Sequence, residues 1–166
     1  MADGETNGVD AVASATEAAI VNGRYYGSYR HKVDEKKRVP IPFRWRPDES
    51  IEFMLAIWPK HQAGTCLRVL LPDQWAKLLV YLDSLPNNDP DKAVLKRFIG
   101  TSSRPAKLDN AGRIAIPNEL ADAAEITKEC VLAGLIDRFE IWSPERYNKV
   151  KILDEAVSRK AFDKLE

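Results

Sequence analysis

The sequence is short of the residues that build most chemical sites. It holds two cysteines and two histidines in 166 residues, and none of the four stands at metal-ligand or disulfide spacing from another. Cys66 and Cys130 therefore read as small buried apolar side chains. His31 and His61 are isolated, which leaves a zinc set or a Ser/His/Asp triad nothing to stand on. Asp34, Asp109 and His31 could be imagined as an acid and a base, yet no Gly-rich phosphate loop or nucleophile elbow accompanies them. No catalytic residue, cofactor, metal or small-molecule substrate is expected. No apolar run approaches the roughly 20 residues that span a bilayer, and the first residues lack a basic n-region. No membrane partner and a cytoplasmic location follow as expectations. An excess of either charge is missing too: 25 basic residues meet 25 acidic ones, so no global field announces a polyanion.

What is present is ordinary globular composition, 45% hydrophobic and 30% charged, enough for one domain or two very small ones. Two stretches repeat each other. Val33-Asp34-Glu35-Lys36-Lys37-Arg38-Val39-Pro40-Ile41-Pro42 and Leu108-Asp109-Asn110-Ala111-Gly112-Arg113-Ile114-Ala115-Ile116-Pro117 share the form apolar-Asp-x-x-x-Arg-apolar-x-Ile-Pro, at a constant offset of 75 residues. Such self-similarity asks for two copies of one unit. Units this short bury little core alone, so they share a core or complete it across subunits.

Each copy reads as a turn between two strands. Asp caps the turn through its side-chain oxygen, and Asn110 and Gly112 suit positive-φ positions. The alternation Arg113-Ile114-Ala115-Ile116 has strand period and sends Arg outward if Ile points inward. Pro117 opens a short helix to about residue 124, and Pro42 begins the same turn, which Pro47 ends early. The Asp and Arg of each copy are also well placed simply to pair and hold the turn.

Along the chain, residues 1–23 read as a mobile tail, with 11–21 a transient helix at most. Residues 24–33 form a strand. The run 53–58 is a strand covered on both faces, paired with 66–70 across a loop. Pro72 starts a helix whose stripe Trp75, Leu78, Leu79, Leu82 and Leu85 reads as core. Asp89-Pro90 starts another, ending near Phe98. Val131–Ile136 pairs with Phe139–Trp142, and Ser143-Pro144-Glu145 opens a further helix, echoing Leu71-Pro72-Asp73 at an offset of 72. The segment after Val150 is charged, either helix or disorder. Two units result, 24–88 and 89–150, between the tail 1–23 and the charged tail 151–166.

Charge is uneven along this plan. Between Arg24 and Arg46 eight cations meet only Asp34 and Glu35, a local +6 with His31 in addition. A local basic patch is the footprint phosphate requires.

The doubled Asp-turn-Arg motif resembles the MraZ family of bacterial transcriptional regulators, in the AbrB/SpoVT/MazE group of DNA-binding folds. Tyr26-Gly27, Leu71-Pro72-x-x-Trp75, Lys96-Arg97-Phe98, Val131-Leu132-Ala133-Gly134 and Phe139-Glu140-Ile141-Trp142 match in order. The resemblance spans Tyr25 to about Val150. Two departures are Lys37, where the family usually has Gly, and the extension 1–23. The resemblance implies an α+β fold with a mainly β core, the double-split (swapped-hairpin) β-barrel of two internally repeated units with peripheral helices. It also implies a nucleoid-associated repressor that forms a homo-oligomeric ring on double-stranded DNA, at G-rich direct repeats upstream of its own cell-division and wall operon.

In that role Arg38 and Arg113 contact bases, while Arg30, His31, Lys32, Lys36, Lys37 and Lys107 engage phosphate. Asp34, Asp109 and Gly112 shape the turns. The more basic first copy is expected to contribute more. A left-handed Lys is strained, so the first turn is expected to differ in shape from the second, with no positive φ at Lys37. The alternative is a protein-interaction module of the antitoxin type, clamping its partner with residues 151–166.

Overall fold

A computed structural model describes residues 24–166 of the chain; the tail expected at residues 1–23 lies outside them. Its strands are β1 (Ser28–Lys32), β2 (Arg38–Pro40), β3 (Phe53–Trp58), β4 (Cys66–Leu70), β5 (Arg104–Ala106), β6 (Arg113–Ala115), β7 (Glu129–Gly134) and β8 (Phe139–Trp142). Four α-helices accompany them among the described residues: α1 (Pro72–Ser84), α2 (Pro90–Ser102), α3 (Asn118–Ala123) and α4 (Pro144–Phe162). A 3-10 turn, Phe43–Trp45, occupies in the first copy the place of α3 in the second.

Six strands form one antiparallel sheet in the order β1-β7-β8-β4-β3-β5, and β2 pairs with β6 as a separate ribbon. The two strands flanking each Asp turn therefore do not pair with one another. β1 leaves for β7 while β2 goes to β6. β1 and β5 end the sheet without meeting, so the hydrogen bonding describes an open sheet with a ribbon packed on it, and not the closed barrel expected.

The register carries a pseudo-twofold. In the ribbon Val39 faces Ile114, its own counterpart 75 residues on. In the sheet Arg68 faces Glu140, 72 residues on. The two offsets visible in the sequence are thus the two places where a strand meets its own copy.

One core unites the halves. Val39, Ile41, Ile114 and Ile116 from the ribbon are fully buried with Leu55, Leu67, Leu132 and Ile141 from the sheet. Four aromatics fill its centre: Trp45 meets Phe139 at 5.1 Å between ring centroids and Tyr25 at 5.7 Å, and Phe53 stands edge-on to Phe139 at 5.7 Å. Truncating one such ring costs about 3–5 kcal/mol, so this cluster ties the 3-10 turn that follows β2 to the sheet.

The helices start where their signals stand. Asp89 accepts a hydrogen bond from the Asp91 N–H and Ser143 from the Arg146 N–H. Two expectations change. The α1 stripe is only partly core: Leu82 is buried, but Leu79 is exposed, as are Val80 and Tyr81 beside it. That helix packs against α2 as well as against β3 and β4, and α2's own Val94, Leu95 and Phe98 are exposed. α2 also runs four residues past Phe98, where the Thr101 and Ser102 hydroxyls bond back to the carbonyls of Arg97 and Phe98. The charged segment after Val150 continues α4 as helix. No helix among the described residues is long and apolar enough to cross a membrane.

Candidate functional site

Both Asp turns close with the same hydrogen bonds. The Asp34 carboxylate accepts from the backbone N–H of Lys36 (3.0 Å) and Arg38 (2.8 Å), and from Arg38 Nε (2.7 Å). The Asp109 carboxylate accepts from Ala111 N–H (2.9 Å), Arg113 N–H (2.9 Å) and Arg113 Nε (3.0 Å). Across the ribbon, Ile41 N–H donates to the Gly112 carbonyl and Ile116 N–H to the Lys37 carbonyl.

Lys37 has φ +59° and Gly112 φ +75°. The expectation of a different first turn is therefore overturned: Lys37 occupies the left-handed position like its glycine counterpart. Its strain is on the order of 1–2 kcal/mol, and the Asp34 bonds, three of them charge-assisted, hold it in place. Gly112 is required for a second reason. Arg46 Nε donates to the Ile41 carbonyl (2.8 Å), and its guanidinium lies where a Cβ on Gly112 would stand. The counterpart of Arg46 in the other half is Ala121, which has nothing to lay across a turn. Lys37 can therefore keep its side chain.

Val39 and Ile114 point into the core, so Arg38 and Arg113 lie on the outer face of the ribbon. They sit diagonally across it. The Asp34 carboxylate touches both, Arg38 at 2.7 Å and Arg113 Nη1 at 3.7 Å. Each guanidinium side chain is about one-third exposed (32%). Each Asp takes its own arginine's Nε, and Arg113 Nη1 approaches Asp34 only beyond hydrogen-bond reach, so both forks can still turn terminal nitrogens to a ligand.

The other expected residues do not all gather at this centre: Arg30 and Lys32 line a cavity with Lys128, Glu129 and Glu145 beside the start of α4. Lys36 is exposed and Lys37 half-buried on the first turn, and Lys32 is exposed on the edge strand β1. Arg30, on the same strand, is bridged to Glu129 at 2.6 Å. Lys107 approaches Glu52 at 3.7 Å. His31 is half-buried, its Nε2 is enclosed without a hydrogen-bond partner, and burial lowers its pKa, so it is neutral near pH 7. Sequence reasoning missed Arg46, whose role depends on the far turn folding against it. Among the described residues no metal-binding cluster forms.

The backbone N–H of Arg38, reinforced by its guanidinium, holds the Asp34 carboxyl below the usual carboxylate range. Arg113 does the same to Asp109, again mainly through its backbone N–H. A depressed folded-state pKa contributes stability that is complete above the unfolded value, about 4, and is lost as pH falls through the folded one. The melting midpoint should accordingly fall below about pH 4, and Asp34→Asn with Asp109→Asn should flatten that decline. Calorimetry between pH 2 and 7 checks it.

The chain is similar to known proteins over most of its length. The family profile described as "MraZ protein, putative antitoxin-like" matches residues 101–164. The transcriptional regulator MraZ of Leuconostoc mesenteroides is 33% identical over 124 residues, covering 75% of this chain and 84% of that protein. Those of Halothermothrix orenii (34% over 123 residues; 74% and 83%) and Alkaliphilus metalliredigens (34% over 125 residues; 75% and 85%) are similar to it to the same degree. At such identity over most of both partners, and with the doubled Asp-turn-Arg motif folded as one ribbon, this chain belongs to the MraZ family.

Proposed function

We propose that the protein is a sequence-specific transcriptional regulator that binds double-stranded DNA through the outer face of the β2–β6 ribbon. The observation that carries this is the pair of arginines, diagonal across one two-stranded ribbon and oriented by carboxylates. A β-ribbon fits the major groove, and a guanidinium fork matches O6 and N7 of guanine. The relatives' shared name, transcriptional regulator, supports the reading. Arg38 and Arg113 read bases. Lys32, Lys36, Lys37, Arg30 and Lys107 engage phosphate, the last two by exchanging an exposed carboxylate for it. His31 alternates with Arg30 and Lys32 along β1, stacks on Tyr29 with its Nε2 enclosed, and is dropped from the phosphate contacts. Asp34, Asp109 and Gly112 keep the turns in shape.

The finer proposal follows the family resemblance: a nucleoid-associated repressor of its own cell-division and wall operon, acting at G-rich direct repeats. Its two halves, 24–88 and 89–150, exchange strands in the manner of the swapped-hairpin class around an open sheet, a reading that the pairing of β1 with β7 and of β3 with β5 supports. A homo-oligomeric ring would bind repeated sites by avidity. The exposed apolar side chains of α1 and α2 favour such assembly.

Titrating the protein with its own upstream fragment across a salt series tests the central reading. Log affinity should fall linearly with log salt and exceed that for scrambled DNA. Equal affinity for both fragments would contradict it. The reading would then pass to an antitoxin-type protein clamp, for which α4 offers exposed Ile152, Val157 and Phe162.

A further inference from the structure

One side chain beside the ribbon is explained by neither the core nor the turns. Phe43, first residue of the 3-10 turn, is 81% exposed. Its neighbour Trp45 fills the core, and its own ring turns the other way. The Arg46 guanidinium lies 5.7 Å from the centroid of that ring. The same guanidinium is anchored on the Ile41 carbonyl and packs against Gly112, the residue immediately before Arg113. Phe43 of the first half is therefore carried to the rim of the second half's turn.

The pseudo-twofold makes this a difference between the halves. The residue 75 positions after Phe43 is Asn118, exposed at the start of α3. The buried residues that follow do correspond, Trp45 to Leu120, so the outward positions are equivalent while their chemistry is not. One reading edge bears an aromatic ring and the other a polar amide.

We propose that Phe43 is a specificity-determining residue that packs on the C5-methyl group of a thymine next to the guanine read by Arg113. This rests on the DNA-binding function proposed above. Thymine alone among the bases carries a methyl group in the major groove, and phenyl rings are among the side chains that contact it. An exposed ring gains by being covered, and Arg46 restricts where this one can lie. Because Asn118 has no apolar surface to offer, the two half-sites differ, and the protein gains a direction on its DNA.

Selection from a randomised duplex pool tests this, with the full chain and its Arg38→Ala/Arg113→Ala, Phe43→Ala and Phe43→Leu variants. The wild type should select guanines with an adjacent thymine; Phe43→Ala should keep the guanines and lose the thymine, and Phe43→Leu should retain it. Replacing that thymine by deoxyuridine removes one methyl group. It should weaken the wild type about fourfold and leave Phe43→Ala unchanged. A thymine preference that survives in Phe43→Ala, or its absence from the wild-type selection, overturns the proposal while the guanine reading stands. So does an equal loss on every duplex, or a changed oligomeric state, which would make Phe43 a contact between copies. If the wild type selects no guanines, or the double arginine variant still does, the DNA-reading function itself fails and this inference with it.

Discussion

Replacing Arg38 or Arg113 with alanine will weaken binding to the specific site by about 1–3 kcal/mol each, roughly 5- to 150-fold, while leaving scrambled DNA nearly as well bound. The geometry dictates the selectivity of the loss. Both guanidiniums lie on the outer ribbon face, bonded at Nε to Asp34 or Asp109 and hence fixed in direction. A fork held in this way loses little freedom on meeting a base edge. Arg38→Lys should recover little, since ammonium cannot supply the planar pair of donors. Lys36→Ala should act differently, lowering affinity for all duplexes alike and reducing the salt dependence by about one ion. Fluorescence anisotropy with specific and scrambled duplexes at two salt concentrations separates the two kinds of contact. Because each arginine also closes its turn, circular dichroism should accompany the measurement and show an intact β signal. A loss of binding that comes with loss of fold says nothing about reading.

Gly112→Val will destabilise the fold by about 2–4 kcal/mol and lower the melting midpoint by roughly 5–15 °C. Two causes add. A β-branched residue is strained at φ +75°, and its Cβ would stand inside the Arg46 guanidinium. Arg46→Ala in the same chain should return part of the loss, because it removes the overlap and leaves the backbone strain. The equivalent exchange in the first half runs the other way. Lys37→Gly relieves a left-handed lysine and should raise stability by about 1 kcal/mol. Thermal melts of the four chains check both signs. A Gly112→Val chain that melts with the wild type would show that Arg46 does not rest on that turn.

The sequence made much of this architecture readable because its strongest signals are local. The run Phe53–Trp58 and the return Cys66–Leu70 became β3 and β4 at those very residues, since covered apolar runs bounded by loops have few other fates. Pro72, Pro90 and Pro144 each became the first residue of a helix. The doubled motif placed both turns and both outward arginines. What stayed hidden depends on pairing over long separations. Nothing local says that β2 leaves β1 to meet β6, or that Val39 meets Ile114. The turn at Lys37 was misjudged for a related reason. Residue preference disfavours a left-handed lysine, but the tertiary frame of Asp34 bonds and the Ile116-to-Lys37 hydrogen bond impose it. The α1 stripe misled in turn, because helical spacing shows an apolar face without telling whether this chain or another copy covers it.

The most direct test of guanine reading is an affinity comparison between the specific duplex and one in which 7-deazaguanine replaces its guanines. That change deletes the N7 acceptor, preserves base pairing and keeps every phosphate. Wild type should lose about tenfold or more per contacted base, while the Arg38→Ala/Arg113→Ala chain should not tell the two duplexes apart. Wild-type binding that is indifferent to the missing N7, with the salt dependence intact, would show that these arginines meet the DNA backbone and do not read its bases.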